Sequence, residues 1–190
     1  MLLLVGLGNP GSNYTNTRHN IGFKIIDAIN EHFKLSKQKP KFKGLLTTGN
    51  IESKKIYAIK PLTFMNNSGT AIKELIDYFK IDAKDVFVFH DDMDIDFGKI
   101  KTKFGGSSAG HNGIESIDKF IGKDYSRVRV GIGHPKQKKK VNNHVLEDFK
   151  DDEEEKIKEI TENIVKLIPT LIEKKMDLFS SKVNQNLNGI

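Results

Sequence analysis

The sequence predicts an α/β fold, a single-domain three-layer α/β/α sandwich built around a mixed, mostly parallel twisted sheet. Short apolar runs that indicate strands alternate with amphipathic segments that indicate helices, a pattern typical of sheets covered on both faces. One segment, 99–104, alternates lysine with other residues and predicts a strand with one face in water, which makes the sheet mixed. The 190 residues are enough for one domain with a sizeable core.

The first half of the chain predicts a buried strand, a helix, a hairpin of two strands, a second helix and a second buried strand, over residues 2–5, 21–33, 44–51, 54–60, 71–79 and 86–89. The strands at 2–5 and 86–89 are continuous apolar runs. The helices are inferred from apolar residues that recur at helical spacing.

The second half predicts the half-solvated strand at 99–104, a helix at 114–121 and a strand at 127–132. A basic segment follows at about 135–150. A C-terminal helix is expected at about 152–176, with a kink or break at Pro169, and a frayed tail at 180–190. No repeat or linker divides the chain, so residues 1–190 are expected to form one domain.

Composition excludes several classes of protein. The chain has no cysteine, which excludes disulfides, thiolate nucleophiles and cysteine zinc sites. No apolar stretch is long enough to cross a bilayer, and residues 1–5 lack the basic start of a signal peptide, so we expect a cytoplasmic protein. A net charge of +6 and a pI of about 9.3 permit an anionic partner without requiring one.

The opening glycines have the spacing of a phosphate-binding turn. Gly6, Gly8 and Gly11 spell G-x-G-x-x-G directly after the first predicted strand. A dinucleotide fingerprint also needs a helix at the second glycine, so that free N–H groups face the pyrophosphate. Pro10 removes one N–H from the turn, and polar residues stand where that helix should begin. The sequence therefore argues against cofactor binding here.

A second pattern, G-x-S-x-G, surrounds Ser108. In a nucleophile elbow this serine lies on a sharp turn between a buried parallel strand and a helix. Here the preceding segment alternates with lysine, and the run GGSSAG is typical of a flexible loop. Acids and histidines nevertheless follow in the order that a serine hydrolase requires, at Asp118, Asp124, His134 and His144. A serine esterase that uses Ser108 therefore stays open as an alternative.

Four carboxylates end a predicted buried strand, in the run HDDMDID that begins at His90. Carboxylates at a strand exit are able to hold magnesium for phosphoryl chemistry. No P-loop and no second ligand cluster accompanies them, so we interpret Asp92, Asp94 and Asp96 as solvated loop residues. Asp91 is nearest the strand, and we expect it to point into a crevice.

His19 belongs to the loop that leaves the first predicted strand, and Asp91 to the loop that leaves another central strand. Ligands of α/β sheets bind outside the carboxyl ends of strands, so the two side chains can meet in one crevice. An aspartate that accepts a hydrogen bond from one imidazole nitrogen leaves the other nitrogen free as a base and stabilises the imidazolium that forms. Such a pair can activate water without a nucleophilic side chain.

Four long motifs carry a resemblance to one family. In order and spacing, the chain is similar to bacterial peptidyl-tRNA hydrolase from Val5 to about Phe149, in the motifs GLGNPGSNYTNTRHNIGF, PLTFMNNSG, HDDMDIDFGKIKTKFGGSSAGHNGIESI and RVRVGIGHP. The resemblance implies an enzyme that hydrolyses the ester between a peptide and the 3′-terminal ribose of tRNA. Such an enzyme recycles tRNA from peptidyl-tRNA that ribosomes release prematurely. The resemblance implies no metal and no cofactor.

The resemblance also assigns roles to residues. His19 matches the general base, Asp91 the residue that orients and stabilises it, and Asn9 the position that discriminates N-blocked peptidyl-tRNA from free aminoacyl-tRNA. Further substrate-binding positions are Tyr14, Phe64, Met65, Asn66, His111 and Asn112. Contacts with tRNA phosphates are expected from Lys101, Lys103, Arg129, Lys136 and Lys138. The basic segment at about 135–150 corresponds to the lid of this family.

The sequence therefore predicts a metal-independent peptidyl-tRNA esterase in which His19 and Asp91 activate water. We expect a monomer that binds the acceptor stem and the CCA end of tRNA. Two alternatives stay open. One is a tRNA-acceptor-binding protein without enzymatic activity, which the basic strand would explain equally well, and the other is the serine esterase built on Ser108.

Overall fold

A computed structural model of the chain describes residues 1–135 and 141–187, without the side chains of residues 141 and 142. The described residues form one sheet with helices packed on both faces, so the predicted three-layer α/β/α sandwich is confirmed. Lys136 and Lys138 of the predicted lid lie outside the described residues.

The sheet has seven strands within the described residues. They are β1 (Leu2–Gly6), β2 (Lys39–Lys41), β3 (Gly44–Ile51), β4 (Lys54–Pro61), β5 (Val86–Asp92), β6 (Ile100–Phe104) and β7 (Ser126–Gly131). Their order is β2-β3-β4-β1-β5-β7-β6. The four central strands β4, β1, β5 and β7 are parallel, and antiparallel pairs flank them on both sides. The short edge strand β2 was not predicted.

Burial along the strands follows the sequence pattern. β1 and β5 are buried along their whole length, as parallel strands covered on both faces require. β6 buries Ile100 but leaves Lys101 and Lys103 exposed, so the predicted half-solvated strand is confirmed. β3 and β4 form the predicted hairpin, with Gly44 opposite Pro61 at its open end.

Helices cover the two faces of the sheet. They are α1 (Ile21–His32), α2 (Ser68–Phe79), α3 (Asn112–Ile121), α4 (Val141–His144), α5 (Asp151–Lys166), α6 (Ile168–Ile172) and α7 (Met176–Leu187). Apolar side chains of α1, α5, α6 and α7 share one core with the sheet, and those of α2 and α3 share a second core on the opposite face.

The C-terminal helix expected at about 152–176 is divided into α5, α6 and the start of α7. The chain leaves the helical conformation at Leu167, and Pro169 occupies the second position of α6. Proline has no N–H to donate to the preceding turn, so it begins a helix readily but cannot continue one. The predicted break at this proline is confirmed.

The prediction of a frayed tail at 180–190 is wrong for residues 180–187, because α7 continues to Leu187. Phe179, Val183 and Leu187 are spaced four residues apart and are buried on one face of this helix. Asn184 adds two hydrogen bonds to the edge strand β6, with its amide pairing to the backbone N–H and C=O of Ile100.

Two glycines bring α1 close to the centre of the sheet. A Cβ at Gly22 would lie 2.3 Å from the amide nitrogen of Leu7 and 2.5 Å from the carbonyl oxygen of Phe89. A Cβ at Gly6 would lie 2.2 Å from the carbonyl oxygen of Gly22. Because neither residue has a Cβ, α1 can begin directly over the carboxyl ends of β1 and β5, where ligand crevices form in such sheets.

We expect Gly22→Ala to lower the free energy of unfolding by about 1 to 3 kcal/mol, because the added methyl group meets backbone atoms that have no room to move. Urea unfolding measures the change, with Ser181→Ala on the exposed face of α7 as the control. Helix propensity alone would make the alanine variant more stable than the parent, and that result would contradict the close contact.

Candidate active site

Asp91, near the end of β5, is the centre of a buried cluster. His19 Nδ1 lies 2.8 Å from Asp91 Oδ1 and 3.0 Å from Oδ2, and His111 Nε2 lies 2.9 Å from the same Oδ1. All three side chains are more than nine-tenths buried. The loop that leaves β1 and the end of β5 therefore meet, as predicted, and His111 joins them from the start of α3.

The ring of His111 is held by the first turn of α3. Its Nδ1 accepts hydrogen bonds from the backbone N–H groups of Gly113 and Ile114, at 3.1 and 3.3 Å. Because Nδ1 is an acceptor, the ring proton is on Nε2, which faces Asp91. Both ring nitrogens of His111 are therefore engaged. The ring centroids of His111 and His19 lie 4.8 Å apart.

The two imidazoles keep Asp91 ionised. Burial by itself raises the pKa of the Asp91 carboxyl, but the charge interactions and hydrogen bonds with His19 and His111 outweigh it and hold this pKa well below its usual value. His90, the preceding residue, donates from Nδ1 to the backbone oxygen of Asp91 at 2.7 Å. Its burial and the neighbouring His111 hold the pKa of His90 well below the usual value, so His90 is a neutral imidazole.

Backbone hydrogen bonds fix the position of His19. It lies in a short 3-10 turn, Arg18–Asn20, just before α1. The His19 N–H donates to the carbonyl oxygen of Val145 at 2.8 Å, and the Arg18 N–H donates to that of Glu147 at 3.0 Å. The buried Arg18 guanidinium also donates to Glu153 of α5 at 2.7 Å. The segment that follows α4 is therefore fastened to the turn that carries His19.

Asn9 is fixed by its amide partners. The Asn9 N–H donates to Asn20 Oδ1, and Asn20 Nδ2 donates to the Asn9 carbonyl oxygen, both at 2.9 Å. Asn9 Oδ1 accepts from the Met65 N–H at 2.8 Å. Because this oxygen is engaged, the two Nδ2 donors of Asn9 are left for another partner. Asn20 was missed as a site residue. Its position next to His19 was the only signal in the sequence.

A cavity of about 160 Å³ opens onto the cluster. Four predicted site residues line it, namely His19, Asp91, His111 and Asn112. Ser108, Asp92 and Asp94 also line it, as do Met93, Ala109, Gly110 and Val145, which the sequence did not single out. Val145 enters through the loop after α4, a long-range contact that no local pattern indicates.

Besides Asn9 and Met65, three predicted substrate-binding residues do not line this cavity. Tyr14 is half-buried in the loop after β1, and Phe64 and Asn66 are exposed on the loop after β4. Met65, between them, is buried and packs against Gly113, where a Cβ would lie 2.5 Å from the Met65 sulfur. Met65 therefore links Asn9 to the start of α3.

The predicted phosphate-binding residues that the structure describes, Lys101, Lys103 and Arg129, share one face at the β6 edge of the sheet. Lys101 and Arg129 lie opposite each other in the β6–β7 pair, and Lys103 follows on the same face. Arg129 Nε donates to Asp92 at 2.7 Å, which leaves the terminal N–H groups of the guanidinium for another partner. The interpretation of Asp92 as a solvated residue is wrong, because the carboxylate is buried in this ion pair. Asp94 and Asp96 are exposed, as predicted.

Ser108 does not lie on a nucleophile elbow. β6 is an antiparallel edge strand that ends at Phe104, and the loop from there to α3 is held by the buried Arg127 guanidinium, which donates to the carbonyl oxygens of Gly105 and Ser107. The strand–turn–helix geometry of an elbow is therefore missing. The argument against a dinucleotide fingerprint is also confirmed, because α1 begins only at Ile21, well after the glycines.

His19, Asp91 and His111 are also residue types that bind metals, and their ligand atoms lie within 4.8 Å of one another. In a metal site each histidine directs an unprotonated nitrogen at the ion. Here the His111 nitrogen that faces Asp91 carries the proton, and both imidazoles donate to the carboxylate. The geometry is that of a hydrogen-bonded cluster.

A family model described as peptidyl-tRNA hydrolase matches residues 3–189. The chain belongs to the peptidyl-tRNA hydrolase family. A peptidyl-tRNA hydrolase of Pelagibacter ubique is 71% identical over 184 residues, which cover 97% of this chain and 99% of the relative. One from Ehrlichia canis is 46% identical over 185 residues, covering 97% and 95% of the two chains.

The fold of this chain also matches that of a solved peptidyl-tRNA hydrolase. The crystal structure of the Acinetobacter baumannii enzyme has a TM-score of 0.90 and 34% sequence identity with this chain, and covers 97% of this chain and 94% of its own. Family membership makes the chain a carboxylic ester hydrolase, which confirms the predicted enzyme over the non-enzymatic alternative. None of the helices in the described ranges has the length and hydropathy needed to span a membrane.

The low pKa of Asp91 has a consequence for acid stability. A carboxyl whose pKa is lower in the folded chain stabilises the fold above the unfolded pKa, about 3.9, and loses that contribution as the pH falls towards the folded pKa. We therefore expect the stability difference between the parent and Asp91→Asn to shrink from pH 4.5 to pH 2.5.

Urea unfolding at both pH values measures this difference, with Asp96→Asn, an exposed acid of the same loop, as the control. A difference that grew as the pH fell would contradict the lowered pKa of Asp91.

Proposed function

We propose that His19 is the general base of a peptidyl-tRNA hydrolase that activates water directly. The observation that supports this role is the pairing of His19 Nδ1 with the buried Asp91 carboxylate. This pairing places the His19 proton on Nδ1 and leaves Nε2 as the basic nitrogen, in a ring that lines the cavity. No other side chain of the described residues is hydrogen-bonded to His19.

In the proposed reaction, His19 Nε2 takes a proton from a water molecule whose oxygen attacks the ester carbonyl. The imidazolium that forms is stabilised by the ionised Asp91, and the carbonyl oxygen becomes an oxyanion. Collapse of the intermediate breaks the bond to the ribose oxygen, which takes the proton back from His19. The products are the tRNA hydroxyl and a free peptide carboxylic acid, which then loses its proton to water, and no acyl-enzyme forms.

We assign His111 a positioning role. Its Nε2–H donates to Asp91 while its Nδ1 accepts from the start of α3, so neither nitrogen is available to exchange a proton with substrate. Two imidazoles that donate to one carboxylate hold its plane and charge in one orientation. Asn112, the next residue, lines the cavity and offers an uncharged amide donor for the oxyanion.

Asn9 is proposed to read the blocked amine of the substrate. Its Nδ2 donors suit the carbonyl oxygen of the amide next to the esterified residue. A free α-ammonium presents only donors and has no such oxygen. Because Met65 and Asn20 hold Asn9, the amide is oriented before substrate binds.

The basic face of β6 and β7 is proposed to contact tRNA phosphates near the acceptor stem, through Lys101, Lys103 and Arg129, with Lys136 and Lys138 adding charge. Such contacts do not depend on sequence, which suits an enzyme that must accept many tRNAs. Tyr14 and Phe64 are proposed to contact the CCA end by stacking, with Asn66 beside them. Because the catalytic cluster is complete within one chain, we propose a monomer, and because the substrate is released by ribosomes, we propose a cytoplasmic enzyme.

Replacing the base tests the mechanism. We expect His19→Ala to lower kcat for N-acetylaminoacyl-tRNA by about 10² to 10⁴, because the water loses its proton acceptor. His32→Ala, at an exposed histidine of α1, is the control. The parent enzyme and both variants are each assayed with and without EDTA, and we expect the chelator to leave their activities unchanged. Full activity of the His19 variant, or loss of parental activity in EDTA, would refute this mechanism.

Asn9→Ala tests substrate discrimination. We expect kcat/KM for N-acetylaminoacyl-tRNA to fall about tenfold or more, because one hydrogen bond to the amide is lost, while the slow hydrolysis of unblocked aminoacyl-tRNA changes little. Asn13→Ala, at an exposed asparagine of the same loop, is the control. Equal losses on both substrates would assign Asn9 a structural role instead.

A further inference from the structure

A second pocket lies beside Asn9 and shares no lining residue with the catalytic cavity. Its volume is about 380 Å³, within the range of small-molecule sites. The residues that matter here are Asn9, Phe23, Asp27, Leu45, Lys60 and Leu62. Apart from Asn9, and Asn20 which holds it, no residue of this pocket has a role in the function proposed above.

Lys60 is the unusual member of this pocket. Its side chain is only 10% exposed, and its ammonium donates to Asp27 Oδ1 at 2.5 Å and lies 5.6 Å from the centre of the Phe23 ring. An ammonium carries three donors, and burying donors without partners is costly. Across residues 1–135 and 141–187, Asp27 is the one hydrogen-bond acceptor of this ammonium. The other lysine of the pocket, Lys24, is paired with Glu154 of α5.

Asn9 connects this pocket to the path that the proposed substrate takes from the catalytic cavity. Asn20, which holds Asn9, directly follows His19, and Met65, which binds Asn9 Oδ1, packs against the start of α3 beside the catalytic cavity. A substrate with its ester at His19 and its first amide at Asn9 has its next residues beyond Asn9. Asn9 also lines the Lys60 pocket, so a peptide that continues past Asn9 is able to enter this pocket.

We propose that the Lys60 pocket binds the peptide beyond its first amide. Lys60 donates to the carbonyl oxygen of the second amide counted from the ester, and Phe23, Leu45 and Leu62 contact the side chain between the two amides. The ligand class is a peptide of two or more residues. The inference rests on the proposed function, because the role of Asn9 sets the position of the first amide.

Two matched substrates test the pocket. N-acetylaminoacyl-tRNA has one amide, and N-acetyldipeptidyl-tRNA with the same esterified residue has two. We expect Lys60→Met to lower the ratio of kcat/KM for the longer substrate to that for the shorter one about tenfold, through KM. Lys73→Met, which removes an exposed lysine paired with Asp77 on α2, should leave the ratio unchanged. An unchanged ratio in the Lys60 variant would overturn the proposal.

A second variant keeps the test valid if Lys60→Met does not fold. Leu62 is 40% exposed at the pocket, so Leu62→Ser preserves the core, and we expect it to lower the same ratio about fivefold. Leu178→Ser, at a similarly exposed leucine of α7, is its control. Equal effects of both serine variants would overturn the proposal. Hydrolysis of the shorter substrate by the parent enzyme tests the proposed function separately, because only the ratio of the two kcat/KM values depends on the pocket.

Discussion

The hydrogen bonds that Asp91 accepts from two imidazoles set the geometry of the whole site. A buried carboxylate is costly unless donors compensate for the water it has lost. His19 and His111 supply those donors from two different elements, the turn before α1 and the start of α3. The single charge at the end of β5 therefore joins three parts of the chain that are far apart in sequence.

The backbone has to approach closely for that charge to be shared. Gly6 and Gly22 let α1 begin against β1, and Gly113 lets the start of α3 pack on Met65. The Met65 N–H in turn donates to Asn9 Oδ1. The packing on the two faces of the sheet therefore positions the same few polar side chains. The strands on either side of β1 and β5 contribute differently. β6 and β7 supply a basic face, while β4 supplies Lys60.

Much of this arrangement was predictable from the sequence. The sequence predicts that His19 and Asp91 follow two strands, because an apolar run ends in polar residues before each of them. Parallel strands that are neighbours in a sheet bring such residues together. The tautomer of His111 was not predictable, because it depends on two N–H groups that exist only once α3 has formed. Asp92 resembles its exposed neighbours in sequence, and its burial arises because β5 continues to pair with Gly131 of β7.

The C-terminal helix shows a similar limit of sequence patterns. Polar residues dominate the tail, and the three apolar positions of α7 that become buried are too few to stand out without the sheet face that covers them. Contacts within one element were therefore easier to predict than contacts across elements.

The hydrogen bonds between the first amides of α3 and His111 Nδ1 also let backbone amide signals report on the active site. The amide protons of Gly113 and Ile114 point at an imidazole nitrogen where a helix start usually has a side-chain oxygen or water. Any event that moves a proton onto that nitrogen has to break these bonds. Two backbone resonances in an NMR spectrum therefore report the protonation of a side chain in the catalytic cluster.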